Sequence, residues 1–278
     1  LLINYFLINI SIMGQKKIII IFTDLDGTFL NTNTFKFGNN KKITKKIIKK
    51  GIIIIPNSSK TIKELQSFNK SLNIKIPFIS ENGSCVNNLK FISQKLPFKI
   101  EISRPKKKIL KIFNKYIEKK YRNKCVFINN LSSKEQSKVL GLKKMNLSNA
   151  LNRKYTVPIK FIGTINDKIK LRNKVKKIGL SFQEGGRIIN IGDNTNKGIA
   201  MKKLLALIKK KLKVKINTIG IGDNYNDLEM LKNSDIPCMV RNKKFNKKKI
   251  NLSKCIFSKK EAPYGWAEVV KLALEKVN

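Results

Sequence analysis

The chain has 278 residues, with 60 lysines and arginines against 17 acidic residues, so its formal net charge is +43. It contains no histidine, which excludes every mechanism that needs an imidazole, from Ser-His-Asp hydrolysis to the HExxH zinc site. The length suits one large domain or two moderate ones, and the 41% apolar content indicates a buried core rather than disorder.

The positive charge comes almost entirely from lysine. The lysines are spread along the whole chain beside many Ile and Asn residues, which we interpret as the product of A/T-rich codon usage. Direct recognition of bases and phosphates usually relies on arginine, which is scarce here. We therefore expect weak, salt-sensitive binding to polyanions but no specific nucleic acid partner.

The cysteines and the N-terminal stretch indicate a cytoplasmic protein without a membrane partner. The cysteines stand far apart, at Cys85, Cys125, Cys238 and Cys255, which is typical of reduced thiols rather than disulfides or a zinc site. The apolar stretch 1–13 is too short to span a bilayer and lacks the basic start of a signal peptide. We expect residues 1–12 to be a non-native extension and the native chain to start at Met13.

Strands and helices are predicted to alternate up to residue 80. The apolar run Lys17–Thr23 is typical of a strand buried on both faces of a parallel sheet. The following elements are a helix over 40–50, a strand Ile52–Ile55, a helix Thr61–Ser71 and a strand Pro77–Ser80. This alternation predicts an α/β fold with a doubly wound, mainly parallel sheet.

The pattern changes after residue 85 and returns after residue 192. Between them, lysine-rich helical stretches alternate with short predicted strands at Phe91–Ser93, Cys125–Ile128, Pro158–Gly163 and Arg187–Ile191. The later elements are helix Lys197–Lys211, strand Ile216–Ile221, helix Tyr225–Lys232, strand Pro237–Val240 and helix Trp266–Lys276. We therefore predict a core of residues 13–85 and 193–278, interrupted by an inserted α+β cap of residues 86–192.

A first acidic motif, DLDGT, follows the first predicted strand. Asp24 and Asp26 lie at its carboxyl end, where open α/β sheets bind ligands, and residues two apart in an extended segment point to the same side. Like charges ~4 Å apart repel by about 4 kcal/mol at an effective dielectric of 20, so a cation or a shared proton is required. A calcium loop is disfavoured because Phe35 stands where such a loop has glutamate.

A second acidic motif, GDNYND, follows the predicted strand Ile216–Ile221. By itself it is compatible with a helix N-cap and an acidic first turn. Opposite the first acidic pair, Asp223 and Asp227 would add oxygen ligands for Mg²⁺, which prefers carboxylates and substrate phosphate.

Four motifs in this order resemble those of the haloacid dehalogenase superfamily of phosphohydrolases. They are DLDGT at 24–28, Ser58 in PNSSKT, Lys197 in NKGIA and GDNYND at 222–227. The resemblance extends over nearly the whole chain from Met13. It implies a Rossmann-like core with a cap, and Mg²⁺-dependent hydrolysis of a phosphomonoester.

The resemblance also implies roles for the matching residues. Asp24 would form an aspartyl-phosphate, and Asp26 would protonate the leaving alkoxide and later deprotonate water. Ser58 and Lys197 would bind the phosphoryl oxygens.

The implied metal site draws on both acidic motifs. Mg²⁺ would be held by Asp24, Asp223 and the carbonyl of Asp26. Asn226 and Asp227 would orient the metal shell or the lysine.

Within the superfamily the chain is most similar to the mannosyl-3-phosphoglycerate phosphatase family. The similarity is carried by SSKT at 58–61, PFISENG at 77–83, GGR at 185–187, DIP at 235–237 and GW at 265–266. One cap segment departs from that family, with Val157 where an acidic residue is usual. The similarity implies that mannosyl-3-phosphoglycerate is converted to mannosylglycerate, with substrate bound by Lys60, Glu81, Asn82 and Arg187.

Other functions remain open. The substrate, a small phosphorylated metabolite, could instead be glucosyl-3-phosphoglycerate or another sugar phosphate. A mutase activity is less favoured than a phosphatase activity. From a different class, the chain could be a polyanion-binding protein on an inactive phosphatase fold, although the intact acidic motifs disfavour this. Either a monomer or a homodimer is compatible with the sequence.

Overall fold

The computed structural model describes residues 17–185, 187–243, 245, 252 and 254–277. The predicted extension at 1–12, the predicted start at Met13 and Gly186 of the GGR motif lie outside the described residues. The described strands are β1 (Lys17–Thr23), β2 (Ile53–Pro56), β3 (Phe78–Ser80), β4 (Cys85–Asn87), β5 (Lys99–Glu101), β6 (Cys125–Phe127), β7 (Val157–Phe161), β8 (Leu180–Glu184), β9 (Ile189–Asp193), β10 (Lys215–Gly222), β11 (Ile236–Arg241) and β12 (Ile256–Glu261). The described helices are α1 (Asn40–Lys49), α2 (Ile62–Leu72), α3 (Lys106–Tyr116), α4 (Lys119–Arg122), α5 (Ser133–Leu140), α6 (Lys144–Leu151), α7 (Ile165–Lys177), α8 (Lys197–Leu212), α9 (Leu228–Lys232) and α10 (Tyr264–Val277).

The chain divides into two compact units. The core unit comprises the described parts of Leu1–Ser59, Phe68–Ile100 and Asn196–Asn278, and the cap unit comprises Lys60–Ser67 and Glu101–Thr195. These bounds differ from the predicted cap of 86–192. Residues 86–100 group with the core unit because β4 pairs antiparallel with β3 and β5 joins the same sheet.

The core unit is built on a parallel sheet with the strand order β12-β11-β10-β1-β2. The middle of β1 is fully buried, as its unbroken apolar sequence predicts for a central strand covered on both faces. The main-chain N–H of Asp24 donates to Ile221 (2.8 Å), and that of Asn57 donates to Thr23 (2.8 Å). These bonds bring the carboxyl ends of β2, β1 and β10 to one edge, and the predicted doubly wound α/β core is confirmed.

The cap unit is an α+β structure, as predicted. Its antiparallel sheet has the order β6-β7-β9-β8. Helix α3 contributes Ile109 and Phe113 to the apolar cluster of this unit, and α7 contributes Leu171 and Val175. Apolar residues at helical spacing therefore cover one face of the sheet.

One predicted strand is wrong. Residues Phe91–Ser93 do not form a strand, because Leu89–Phe91 is a 3₁₀ turn entered through Asn88 in the left-handed region (φ 63°). Leu89 and Ile92 are both buried, so these two apolar side chains pack inward from a turn rather than from a strand.

The four cysteines are free thiols, three of them buried, and the structure pairs none of them in a disulfide. Among the described helices, none combines the length and the apolar character needed to cross a bilayer.

Candidate active site

Three aspartates from the two acidic motifs converge at the sheet edge. Asp24 follows β1, while Asp223 follows β10 and Asp227 lies one 3₁₀ turn further on. One carboxylate oxygen of each lies within 4.8 Å of the others. The three residues are 7%, 5% and 0% exposed, so bulk water screens their mutual repulsion poorly.

The DLDGT turn allows this convergence through its glycine. Gly27 has a φ of +86°, and a Cβ at this position would lie 2.8 Å from Oδ2 of Asp223. Only glycine permits both this backbone conformation and the close approach. The next residue, Thr28, donates its hydroxyl to Oδ1 of Asp223 at 2.7 Å.

Asp227 serves both as a helix-capping residue and as a member of the acidic cluster, the two roles that the sequence left open for GDNYND. Its Oδ2 accepts the main-chain N–H groups of Asp223 (3.0 Å) and Asn224 (3.1 Å), which is the N-cap arrangement. Its Oδ1 accepts from Lys197 at 2.6 Å, which places the same carboxylate in the acidic cluster.

Lys197 is the cation that the structure places among these acids. Asn196 caps α8 by accepting the N–H of Ile199 at 2.9 Å, and Lys197 is the first residue of the helix. Its Nζ donates to Asp24 (2.5 Å) and Asp227 (2.6 Å), and the residue is 1% exposed. Burial opposes the charged amine, but the two carboxylates outweigh it and hold the pKa of Lys197 above its ordinary value.

The cluster carries more negative than positive charge. Burial, followed by the charges of Asp24 and Asp227, raises the pKa of Asp223 to about 8. Burial also raises the pKa of Asp227 above its ordinary value, against the opposing effect of Lys197. Three buried carboxylates around one ammonium, with oxygen as the only ligand atom, fit a hard divalent cation such as Mg²⁺.

The raised pKa of Asp223 has a measurable consequence for stability. Without metal, the folded protein keeps this proton up to about pH 8, whereas the unfolded chain releases it near 3.8. The folded state thus binds more protons in this window, so this group's contribution to the free energy of unfolding falls as pH rises from about 4 to 8. Urea titrations in EDTA should therefore show that Asp223→Asn gains stability over wild type as pH rises. Parallel pH curves for the two proteins would contradict the raised pKa.

The other predicted core-unit residues lie at or near the same edge. Ser58 is 1% exposed and directly follows Asn57, its N–H donating to Ile79 at 3.0 Å. Asp26 is half-buried in the DLDGT turn, whereas Asn226 is exposed. The cluster of carboxylate oxygens comprises Asp24, Asp223 and Asp227, and the predicted metal ligand set, with the carbonyl of Asp26, stays a prediction.

The predicted substrate residues fall in both units. Glu81 and Asn82 are buried in the core unit, in left-handed backbone (φ 46° and 56°) directly after β3. In the cap unit, Lys60 lies 3.9 Å from the carboxylate of Glu64. Arg187 is exposed and donates to the main-chain oxygen of Leu140 at the end of α5. Their roles toward a substrate stay predictions.

Several supporting residues were not predicted. The Asn242 amide donates to Oδ2 of Asp223 at 2.7 Å, and nothing in the surrounding lysine-rich sequence marks it. The Trp266 indole N–H donates to Thr23 (3.0 Å), whose hydroxyl donates to the carbonyl of Asp24 (2.8 Å). The single tryptophan in the chain was a signal for this contact, because a buried indole N–H needs an acceptor.

The sequence is similar to that of known phosphatases. Residues 21–265 match the model of a family described as haloacid dehalogenase-like hydrolase. A glucosyl-3-phosphoglycerate/mannosyl-3-phosphoglycerate phosphatase from Persephonella marina is 29% identical, with 93% of this chain and 98% of the relative covered. A phosphatase of the same name from Methanococcoides burtonii is 31% identical, with 80% and 84% covered.

A solved structure supports the fold. The protein SMU.1108c from Streptococcus mutans is 20% identical, with a TM-score of 0.67 and coverage of 93% of this chain and 99% of that one. The family match over most of the chain, together with the Methanococcoides relative, settles the classification. The chain belongs to the phosphatases of the haloacid dehalogenase-like hydrolase family.

Proposed function

We propose that the protein is a Mg²⁺-dependent phosphatase that converts mannosyl-3-phosphoglycerate to mannosylglycerate and inorganic phosphate, through an aspartyl-phosphate on Asp24. The observation that carries the proposal is the buried cluster in which Lys197 bridges Asp24 and Asp227 beside Asp223. With a divalent cation held by these acids, the cluster would suit an anionic phosphate ester, and relatives that cover most of the chain are named for this substrate.

Asp24 is proposed as the nucleophile and Asp26 as the acid and base. A carboxylate oxygen of Asp24 attacks phosphorus, forming the new P–O bond while the bond to the glycerate oxygen breaks. Asp26 gives its proton to the leaving alkoxide. It then takes a proton from the water that attacks the aspartyl-phosphate, which restores the carboxylate of Asp24 and releases phosphate.

Lys197 and Ser58 are proposed to hold the transferred phosphoryl group. An ammonium has three N–H donors, and two of those on Lys197 go to Asp24 and Asp227. The third is left for a phosphoryl oxygen close to the nucleophile. Because the lysine is buried, water screens its positive charge poorly.

The acidic residues are proposed to hold the metal. Asp24, Asp223 and the carbonyl of Asp26 would bind Mg²⁺, which supplies the positive charge that lets an anionic carboxylate approach an anionic ester. Asp227 accepts from Lys197 and from the main-chain N–H of Asp223. It would therefore orient both the lysine and the Asp223 metal ligand.

A phosphate-release assay tests this proposal. Mannosyl-3-phosphoglycerate, 3-phosphoglycerate and common sugar phosphates are compared, each with Mg²⁺ and with EDTA. We expect kcat/KM for the glycosylated substrate to exceed the others by about 10-fold or more, because more groups are available for binding. Absence of phosphate release from every ester in Mg²⁺ would refute the function.

Glucosyl-3-phosphoglycerate is the second candidate substrate. It is favoured by the names of the Persephonella and Methanococcoides relatives, which include both sugars. The same assay with both compounds decides between a mannosyl-specific, a glucosyl-specific and a dual-substrate enzyme.

A further inference from the structure

Two described residues after β11, Asn242 and Phe245, contact the segment 223–225 that follows β10. The side-chain amide of Asn242 donates to Oδ2 of Asp223 at 2.7 Å and approaches its main-chain oxygen at 3.4 Å. The ring of Phe245, which is buried, packs on the ring of Tyr225 with centroids 4.7 Å apart. The first contact is polar and directed at the carboxylate, whereas the second is apolar.

The two carboxylate oxygens of Asp223 are held in matching ways. Thr28 donates to Oδ1 and Asn242 donates to Oδ2, each at 2.7 Å. A carboxylate oxygen has two lone pairs, so each oxygen keeps one for a further partner. Both donors are neutral, and among the described residues no ion pair involves Asp223, so no cationic side chain is paired with it where a metal ion would bind.

We propose that Asn242 is a positioning residue for Asp223, which it holds in the rotamer that binds the metal. This inference rests on the proposed function, because it takes Asp223 as a Mg²⁺ ligand. Asn242 acts on metal affinity through Asp223 and does not touch the reacting atoms. Its loss should therefore weaken metal binding and leave turnover at saturating Mg²⁺ nearly unchanged.

A purely structural role for Asn242 would have a different signature. The end of β11 is fixed independently, because the N–H of Arg241 donates to the hydroxyl of Ser258 at 2.8 Å. Removing the amide of Asn242 should thus leave the strand in place. Phe245→Leu removes the ring contact with Tyr225 while leaving the Asn242 amide intact, so it reports on general loosening.

The test is calorimetric titration of substrate-free protein with Mg²⁺, together with the Mg²⁺ dependence of phosphate release. Asn242→Ala should raise the Kd for Mg²⁺ about 10- to 100-fold, which is typical for residues that orient a ligand. Phe245→Leu should raise it much less. Asn233→Ala is the matched control, because its amide donates to the main chain of Glu229 and to no member of the acidic cluster.

Thr28 provides a second arm. Thr28→Val removes the donor to the other oxygen of Asp223 and should also weaken Mg²⁺ binding, whereas Thr28→Ser keeps a hydroxyl and should bind nearly as wild type does. The Mg²⁺-induced rise in melting temperature should follow the same order.

Three results would overturn the inference. Asn242→Ala could bind Mg²⁺ as tightly as wild type, Phe245→Leu could weaken binding equally, or Asn242→Ala could lose turnover that saturating Mg²⁺ does not restore. Each leaves the proposed function intact, because wild type still binds Mg²⁺ and releases phosphate. Failure of wild type to bind Mg²⁺ would instead refute the proposed function and the role of Asn242 with it.

Discussion

Asp24→Asn is expected to lower phosphate release by about 10⁴-fold or more, the scale seen when an enzyme loses its nucleophile. A carboxamide has nearly the same shape as a carboxylate but cannot form an acyl-phosphate by attack. Its oxygen can still accept from Lys197, and the loss of that ion pair is offset by less repulsion from Asp223 and Asp227. We therefore expect the melting temperature to change by only a few degrees.

Two measurements check this expectation. Steady-state phosphate release gives the loss of turnover, and intact-mass spectrometry of rapidly quenched reactions should detect a phosphorylated enzyme in wild type but not in the variant. Asp193→Asn is the matched control, because Asp193 also ends a strand but pairs with Arg104 in the cap unit. Substantial turnover by Asp24→Asn, with normal turnover by the control, would refute Asp24 as the nucleophile.

The parts of the site that could be predicted from the sequence are those tied to strand ends. Asp24 follows a continuous apolar run, which identifies a buried parallel strand without knowledge of the fold, and Asp223 follows the predicted strand Ile216–Ile221. Because parallel strands share a carboxyl edge, the two acids were expected to meet, and their oxygens lie within 4.8 Å. Lys197 needed the family resemblance, since one lysine in such a basic chain carries no signal by itself.

Residues that depend on long-range packing could not be predicted. Asn242 reaches Asp223 only because β11 lies beside β10, and the sequence gives strand positions but not their order in the sheet. Arg187 was expected to bind substrate because of the family similarity carried by the GGR motif, and that role stays a prediction. Its contact with the end of α5 depends on how two distant segments of the cap unit pack. The short strands β4 and β5 have three residues each, too few to show a period of two.

Lys197→Met is expected to separate two functions of the buried lysine. One is to balance the charge of the acids, and the other is the proposed contact with the phosphoryl group. Methionine is similar in size, so it fills the space beside Asp24 and Asp227 but leaves their carboxylates without a cation. Removing one partner of a buried ion pair costs about 3–5 kcal/mol, so the free energy of unfolding in EDTA should fall by that amount. Lys202→Met, on an exposed position of the same helix, should change it little.

Mg²⁺ should reverse the loss of stability but not the loss of activity. A metal ion at 100 times its Kd stabilises the folded state by about 2.7 kcal/mol, and an unpaired acidic cluster should favour it further. The third N–H of Lys197, which is proposed to reach the phosphoryl group, has no substitute in the variant, so turnover should stay about 10³-fold below wild type. Urea unfolding with and without Mg²⁺, alongside phosphate release, measures both effects. If Mg²⁺ restored turnover as well, the lysine would serve only to balance the charge of the three acids, and its proposed contact with the phosphoryl group would be wrong.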